Sequence, residues 1–268
     1  MPSSSGTVFE HNEECMGTVF VFHGRSPLGE DETQVAVARA CAILHQADQI
    51  FSLYKPESPL SRLARGEASV ADLPPVVSEI WDECERMEKL TDGWFKAFTP
   101  QNTFDPSGLV KTWAAAKAAA HLKYVGIEDF TLNAGGDVLL SDGLTVAQDW
   151  RIGISKPVSI ASPEAGVLAV FELANTDYRA VATSGSAERG SHIWNPKFNN
   201  TEPNELLQVS VFAHDLVSAD VWATAAFAEG VRSIERLNAQ PGIEALFVLA
   251  DQSLAATDGL GALFAKND

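Results

Sequence analysis

The sequence is poor in the residues that build disulfide frameworks, metal clips and polyanion-binding surfaces. Only three of its 268 residues are cysteine, at positions 15, 41 and 84. They are far apart and odd in number, so their linear spacing offers neither a disulfide framework nor a zinc ligand set. A reducing compartment fits them best. Basic side chains are also scarce, 19 Lys and Arg against 36 Asp and Glu, for a net charge of −17. That balance excludes a broad surface for nucleic acid or anionic lipid, which needs clustered Lys and Arg. No stretch reaches the ~18 consecutive apolar residues of a membrane span. The opening "MPSSSGTVFEHNEECMGTVFVF" lacks a basic start followed by an apolar core, and its apolar "TVFVF" comes after Cys15, so this cysteine does not read as a lipid-attachment site. A cytoplasmic, soluble chain with no membrane anchor and no nucleic-acid partner is expected. Also missing are a nucleophile elbow, a GxxxxGK[ST] phosphate loop and a GxGxxG turn after a strand.

What is present is an ordinary globular composition, 46% hydrophobic and 21% charged. Residues 1–15 read as a flexible N-terminus and 16–268 as a single domain. "MGTVFVFHG" predicts a strand over 16–23. A helix is expected over 31–51, with an apolar stripe that includes Ala36, Val37, Ala40 and Leu44. A loop, "SLYKPESPLSRLARG", separates it from a second helix over 75–90, which "TDG" ends. A third, alanine-rich helix is expected over 106–122. Strand-and-turn texture follows, in "DFTLNAGGDVLLSDG", "DWRIGIS", "GVLAVFELAN", "YRAVATSG" and "LLQVSVFAH". One further helix, "SADVWATAAFAEG", and a C-terminal hairpin complete the pattern. Helices gather in the first half and strands in the second, which predicts an α+β fold with mixed or antiparallel sheets and flanking helices.

Four stretches carry the residue types of a reactive site. In "FDPSGLVK", Asp105 reads as a helix N-cap and Pro106 as the first helical residue. Gly108 leaves room for a phosphate or metal against the backbone, and Lys111 lies one turn on. A capped helix with a solvated lysine is the plainer alternative. In "SADVWATA", Asp220 and Thr224 are spaced i, i+4 and share a helix face, which suits a hard cation such as Mg²⁺. Here Asp220 reads as an exposed carboxylate, and offsetting the helix dipole is its plainer role. "LNAGGDV" allows a tight turn beneath a flat ligand or an ordinary hairpin turn. "ATSGSAERGSHIWNP" sets His192 in a polar, Gly- and Ser-rich context where it could accept a proton from a hydroxyl.

In chain order, "MGTVF", "FSLYKPESPLSRL", "TDGWF", "DPSGLVK", "NAGGDV", "ATSG" with "SHIWNP", and "SADVWATA" resemble the FAD:protein FMN transferase family, the ApbE-like proteins. The resemblance implies a two-lobed α+β fold with a ligand cleft between its lobes. It also implies Mg²⁺-dependent transfer of the FMN half of FAD onto a Ser or Thr hydroxyl of an acceptor protein, releasing AMP. By motif, Met16 and Tyr54 would lie against the flavin or adenine and Phe95 would belong to the pocket wall. Asp105 and Lys111 would hold the nucleotide, and Gly108, Asp220, Ala223 and Thr224 would surround the metal. His192 would be the base. The chain departs from the family pattern at Lys96, Thr112 and Asn195, where Asp, Gly and Asp are usual. Two other activities share such a site: a Mg²⁺-dependent FAD pyrophosphatase giving FMN and AMP, and a non-catalytic FAD-binding protein.

Overall fold

The computed structural model describes residues 6–157, 166–185, 195–197 and 205–265. The architecture is α+β, with antiparallel sheets and flanking helices. The chain divides into two compact units. One is Met1–Leu90 with Lys96–Leu144, and the other is Thr91–Phe95 with Thr145–Asp268.

The first unit opens on β1 (Thr7–Cys15) and β2 (Thr18–Ser26), paired antiparallel from Thr7↔Ser26 to Cys15↔Thr18. This corrects the flexible N-terminus expected at 1–15, because residues 7–15 are strand. Alternate residues of β1 are shielded, but the inward set mixes Thr7, His11 and Glu13 with Phe9 and Cys15. Period-2 burial is therefore not matched by period-2 hydrophobicity, the signal from which strands are read. Met16 and Gly17 form the turn, with φ of 52° and 70°, the left-handed pair that a two-residue hairpin of matching twist requires.

Next come α1 (Glu30–Phe51), α2 (Pro59–Ala64), α3 (Pro75–Leu90) and α4 (Ser107–Tyr124), then β3 (Asp129–Ala134) and β4 (Asp137–Leu140). The strand order is β1-β2-β3-β4, antiparallel throughout. The helix α2 lies in the stretch expected to be loop. Ser58 caps it, its hydroxyl accepting from the Ser61 amide at 3.0 Å. The plain composition of α4 has a packing cause. α1 and α4 pack against each other, and both line their buried faces with alanine, Ala36, Ala40 and Ala47 on α1 and Ala114, Ala115 and Ala118 on α4. Phe20, Phe22, Phe130 and Leu132 of the sheet, all at 0% exposure, complete this core.

The second unit holds β5 (Arg151–Ser155) and β6 (Val167–Glu172) as a separate two-stranded sheet. β7 (Ala180–Gly185) and β8 (Leu206–Ala213) precede α5 (Leu216–Glu229) and α6 (Ser233–Asn238). β9 (Glu244–Leu249) and β10 (Leu254–Ala256) form the expected C-terminal hairpin, giving an antiparallel order β7-β8-β9-β10. α5 lies on β7 and β8. Among the described residues no helix is long and apolar enough to cross a membrane. Cys15, Cys41 and Cys84 are free and buried. Burial pushes their thiols up, Cys15 to about 11 and Cys41 and Cys84 to about 12, so at neutral pH these thiols are protonated and poor nucleophiles.

The β3–β4 turn, Gly135–Gly136, has φ of 66° and 103°, and the Asn133 carboxamide oxygen accepts the Gly136 amide at 2.8 Å. The alternatives left open for "LNAGGDV" resolve, at the level of backbone, to a hairpin turn. A Cβ on Gly135 would stand 2.1 Å from Thr18 Oγ1, whereas one on Gly17 would meet nothing within 4 Å. Both positions have left-handed φ, so Gly135→Ala should destabilise by roughly 1–3 kcal/mol and visibly more than Gly17→Ala. Urea unfolding midpoints test this, and equal shifts for the two variants would refute the contact.

Candidate functional site

Several expected site residues of the first unit gather at one end of its sheet. Phe20 of β2 pairs with Ala134 of β3, and the Gly135 amide donates to the Val19 carbonyl at 3.1 Å. The Met16–Gly17 and Gly135–Gly136 turns therefore lie side by side. Asp137, the first residue of β4, is 1% exposed and pairs with the Lys111 ammonium. This ion pair ties the second turn of α4 to the same sheet end. The C-terminal end of α1 approaches it as well, with Phe51 packed edge-on against Trp113 at 6.1 Å.

Tyr54 follows three residues after α1. It is 97% exposed, although its loop is well held. The Ser58 and Ser61 hydroxyls donate to the Ser52 carbonyl at 2.6 and 3.1 Å, and the Tyr54 amide donates to Ser52 Oγ at 3.3 Å. An aromatic ring left in water on a pinned loop is available to stack on a flat ligand.

At the start of α4, the N-cap is Pro106 rather than Asp105, which corrects the expected boundary by one residue. Pro106 is the cap because its carbonyl accepts the Leu109 and Val110 amides, both at 2.9 Å. Asp105 still satisfies one first-turn donor, its Oδ1 accepting from Ser107 at 3.0 Å. Its own amide donates to Ala97 at 2.7 Å. Phe104 stacks on Trp81 of α3 at 4.5 Å and on Phe98 at 5.5 Å, and this cluster fixes the approach to the helix. Gly108 is in the first turn and part-exposed. Lys96 and Thr112, two of the departures, have structural roles. Lys96 lies 3.7 Å from Glu88, and Thr112 is buried with its hydroxyl donating to the Leu109 carbonyl at 3.1 Å.

In the second unit, α5 begins earlier than "SADVWATA" suggests. Asp215 is its N-cap, accepting from the Ser218 amide at 2.8 Å. Asp220 is therefore not the residue that offsets the dipole in the first turn. Nor is it exposed, as expected from its sequence. It is 6% exposed and is the single polar member of the helix's buried positions, which otherwise are Leu, Ala, Val, Trp and Phe. A carboxylate costs free energy in such company, so its presence calls for a ligand or a hydrogen-bond network. Thr224 stands one turn on, its hydroxyl 3.4 Å from that of Ser184 on β7. Ala223, between them, is fully buried.

Phe95 is 2% exposed, and its amide donates to Thr91 Oγ1 at 3.0 Å. Its side chain is therefore covered rather than presented. His192 lies outside the described residues. Asn195, the third departure, donates to the Ala228 carbonyl near the end of α5 at 3.2 Å. Beyond it, Lys197 bonds Asp92 at 2.8 Å and lies over the Trp94 ring at 4.8 Å.

Sequence reasoning missed two partners, Asp137 for Lys111 and Ser184 for Thr224. Both are non-local, 26 and 40 residues away. The surviving signal was the presence of an acid in "NAGGDV" and a hydroxyl in "ATSG".

The donor set on α5 fits a hard divalent cation. Carboxylate, hydroxyl and carbonyl oxygens are what Mg²⁺ prefers, and a helical carbonyl keeps a second lone pair for a ligand. The buried Asp220 would supply the charge.

Comparison with known proteins reaches most of the chain. Residues 97–247 match the model of the ApbE family. An FAD:protein FMN transferase of Klebsiella pneumoniae is 27% identical over 164 residues, covering 58% of this chain and 48% of that protein. One from Rhodobacter capsulatus is 30% identical over 206 residues, 70% of this chain and 38% of that protein. This chain thus spans less than half the length of these curated relatives. Among solved structures, the flavin transferase ApbE of Vibrio cholerae superposes with a TM-score of 0.75 at 21% identity, over 97% of this chain and 100% of that one. The ApbE protein of Thermotoga maritima gives 0.76 at 19% identity, over 97% and 100%. These two likenesses establish the fold.

Proposed function

The chain belongs to the ApbE family, and from that premise we propose that it transfers the FMN moiety of FAD to a Ser or Thr hydroxyl of an acceptor protein. The observation that carries the proposal is Asp220, a buried carboxylate one helical turn from the Thr224 hydroxyl.

In this reading the hydroxyl oxygen attacks the phosphorus on the FMN side of the diphosphate. The bond from that phosphorus to the AMP phosphate breaks, and AMP departs with the bonding electrons. The hydroxyl proton passes to His192. Lys111, held at the sheet end by Asp137, stabilises negative charge on the nucleotide, and Asp105 positions it. Met16 and the exposed Tyr54 flank a flat ring, and the family resemblance assigns Phe95 to a pocket wall. Asp220 and Thr224 with the Ala223 carbonyl would hold Mg²⁺ in the second unit, and the family resemblance gives Gly108 of the first unit the same role. When bound, the ion supplies positive charge against the diphosphate and the leaving phosphate. Everything else in the reaction is positioning, as in phosphoryl transfer generally.

The test is incubation with FAD, Mg²⁺ and a cell extract, followed by denaturing gel electrophoresis. In-gel flavin fluorescence on an acceptor polypeptide, with AMP released in equal amount, is the expected result. Rapid FMN release with no acceptor protein present would replace transfer by FAD hydrolysis. FAD bound tightly, with AMP absent under all conditions, would reduce the protein to a flavin binder.

A further inference from the structure

The β1 strand and the α1 helix bring together a set of metal-ligating groups away from the oxygen donors of α5. His11, Glu13 and Cys15 are spaced i, i+2, i+4 on a strand, so all three point to the shielded face of β1. Cys41 and His45 are spaced i, i+4 on α1, one turn apart on one helix face. The two faces meet, since α1 packs on β1. One ligand atom each from His11, Glu13 and Cys41 lies within 4.8 Å of the others. His11 Nε2 is 2.9 Å from Glu13 Oε2, and His45 Nε2 is 2.7 Å from Glu13 Oε1. Cys15 Sγ and His45 Nδ1 are 3.6 Å apart. The spacing of the cysteines alone promised no zinc set. The fold brings these groups together because each half uses the period of its own secondary structure.

We propose that His11, Glu13 and Cys41 bind a borderline-soft divalent cation of the Zn²⁺ class, and that this ion ties the edge strand β1 to α1. The donor chemistry selects the ion. Imidazole nitrogen, carboxylate oxygen and thiolate sulfur together suit Zn²⁺ and disfavour Mg²⁺, which prefers oxygen alone. Charge also balances, because one carboxylate and one thiolate neutralise a dication in a site whose cysteine is 5% exposed. A tetrahedral shell with bonds of about 2.0–2.3 Å needs neighbouring ligand atoms about 3.3–3.8 Å apart. The observed spread up to 4.8 Å thus requires closure of about 1 Å. The His11 and Glu13 side chains, 42% and 23% exposed, have the freedom to supply it. His45, on the second oxygen of Glu13, orients that carboxylate as outer partners of metal ligands do. The part-exposed side leaves a fourth position for water.

The ion would also serve the fold. β1 is an edge strand with mixed polar residues on its inward face, so apolar burial does little to hold it, and edge strands are the elements most prone to fraying or mispairing.

Cobalt(II), a spectroscopic stand-in for zinc, tests the proposal on the reduced, chelator-stripped full chain. One equivalent should produce a thiolate-to-cobalt charge-transfer band in the near ultraviolet, and Zn²⁺ should displace it. Cys41→Ser should abolish the band. Because Cys41 is buried, His11→Ala on the open side of the cluster is the second variant, and it should weaken Zn²⁺ binding by more than about tenfold. Asp220→Asn should leave the band unchanged, which separates this site from the proposed transferase metal. Zn²⁺ should also slow amide exchange across Thr7–Cys15. No charge-transfer band, a band that survives Cys41→Ser, or exchange indifferent to Zn²⁺ would each overturn the proposal.

Discussion

Asp220→Asn is expected to lower FMN transfer from FAD by about 10²–10³-fold or more at saturating FAD, with the fold retained. The substitution keeps the volume of a side chain that is 6% exposed, so it opens no cavity in α5. It removes the charge and exchanges one acceptor oxygen for an NH2 donor. If that charge anchors Mg²⁺, the loss is the several kcal/mol of transition-state stabilisation a metal supplies, at 1.36 kcal/mol per tenfold. Alanine is the poorer choice, because a buried position would lose packing as well. The thermal midpoint should move by no more than a few degrees, since asparagine keeps the volume of the side chain and its capacity to hydrogen-bond. Excess Mg²⁺ should restore part of the rate. Transfer within threefold of the unaltered chain, at ordinary Mg²⁺, would remove Asp220 from the metal site.

Helix boundaries were legible wherever the sequence punctuates them. α3 spans Pro75–Leu90 as read, because Pro opens it and Asp92 and Gly93, at φ of 53° and 75°, end it. α1 was readable from its stripe, of which Ala36, Val37, Ala40 and Leu44 are all buried. Failures came where packing, not pattern, decides. β1 presents His11 and Glu13 inward and so has no hydrophobic alternation. α2 is six residues long inside a Ser- and Pro-rich loop, too short for a period to show. The N-cap of α4 moved from Asp105 to Pro106 because backbone acceptance, not side-chain preference, settled it.

The candidate site divides the same way. Asp220 and Thr224 were visible because i, i+4 is local, but the burial of Asp220 was not, since it depends on how α5 lies against β7 and β8. Lys111 was visible as a charge near a helix start, whereas its partner is 26 residues away on another element. The His11, Glu13 and Cys41 group was the least legible. Its members lie on two elements whose contact no spacing rule encodes.

Lys111→Met should destabilise the first unit by up to about 3 kcal/mol, an effect on the scale of breaking a buried ion pair from one side. The lysine side chain is 15% exposed and its partner carboxylate 2%, so water cannot fully replace what is removed. Methionine keeps the length and most of the packing of the stem, which confines the loss to the charge. The discriminating variant is Lys111→Met combined with Asp137→Asn. Removing both charges takes away the uncompensated burial and should recover most of the stability, to within about 1 kcal/mol of the unaltered chain, because a buried pair is often no better than its neutral replacement. Activity should not recover with it. If Lys111 also stabilises negative charge on the nucleotide, transfer stays depressed in the double variant while urea midpoints return. A double variant that regains both would make Lys111 a purely structural partner of Asp137. One that regains neither would mean that the pair is held by more than its mutual charge.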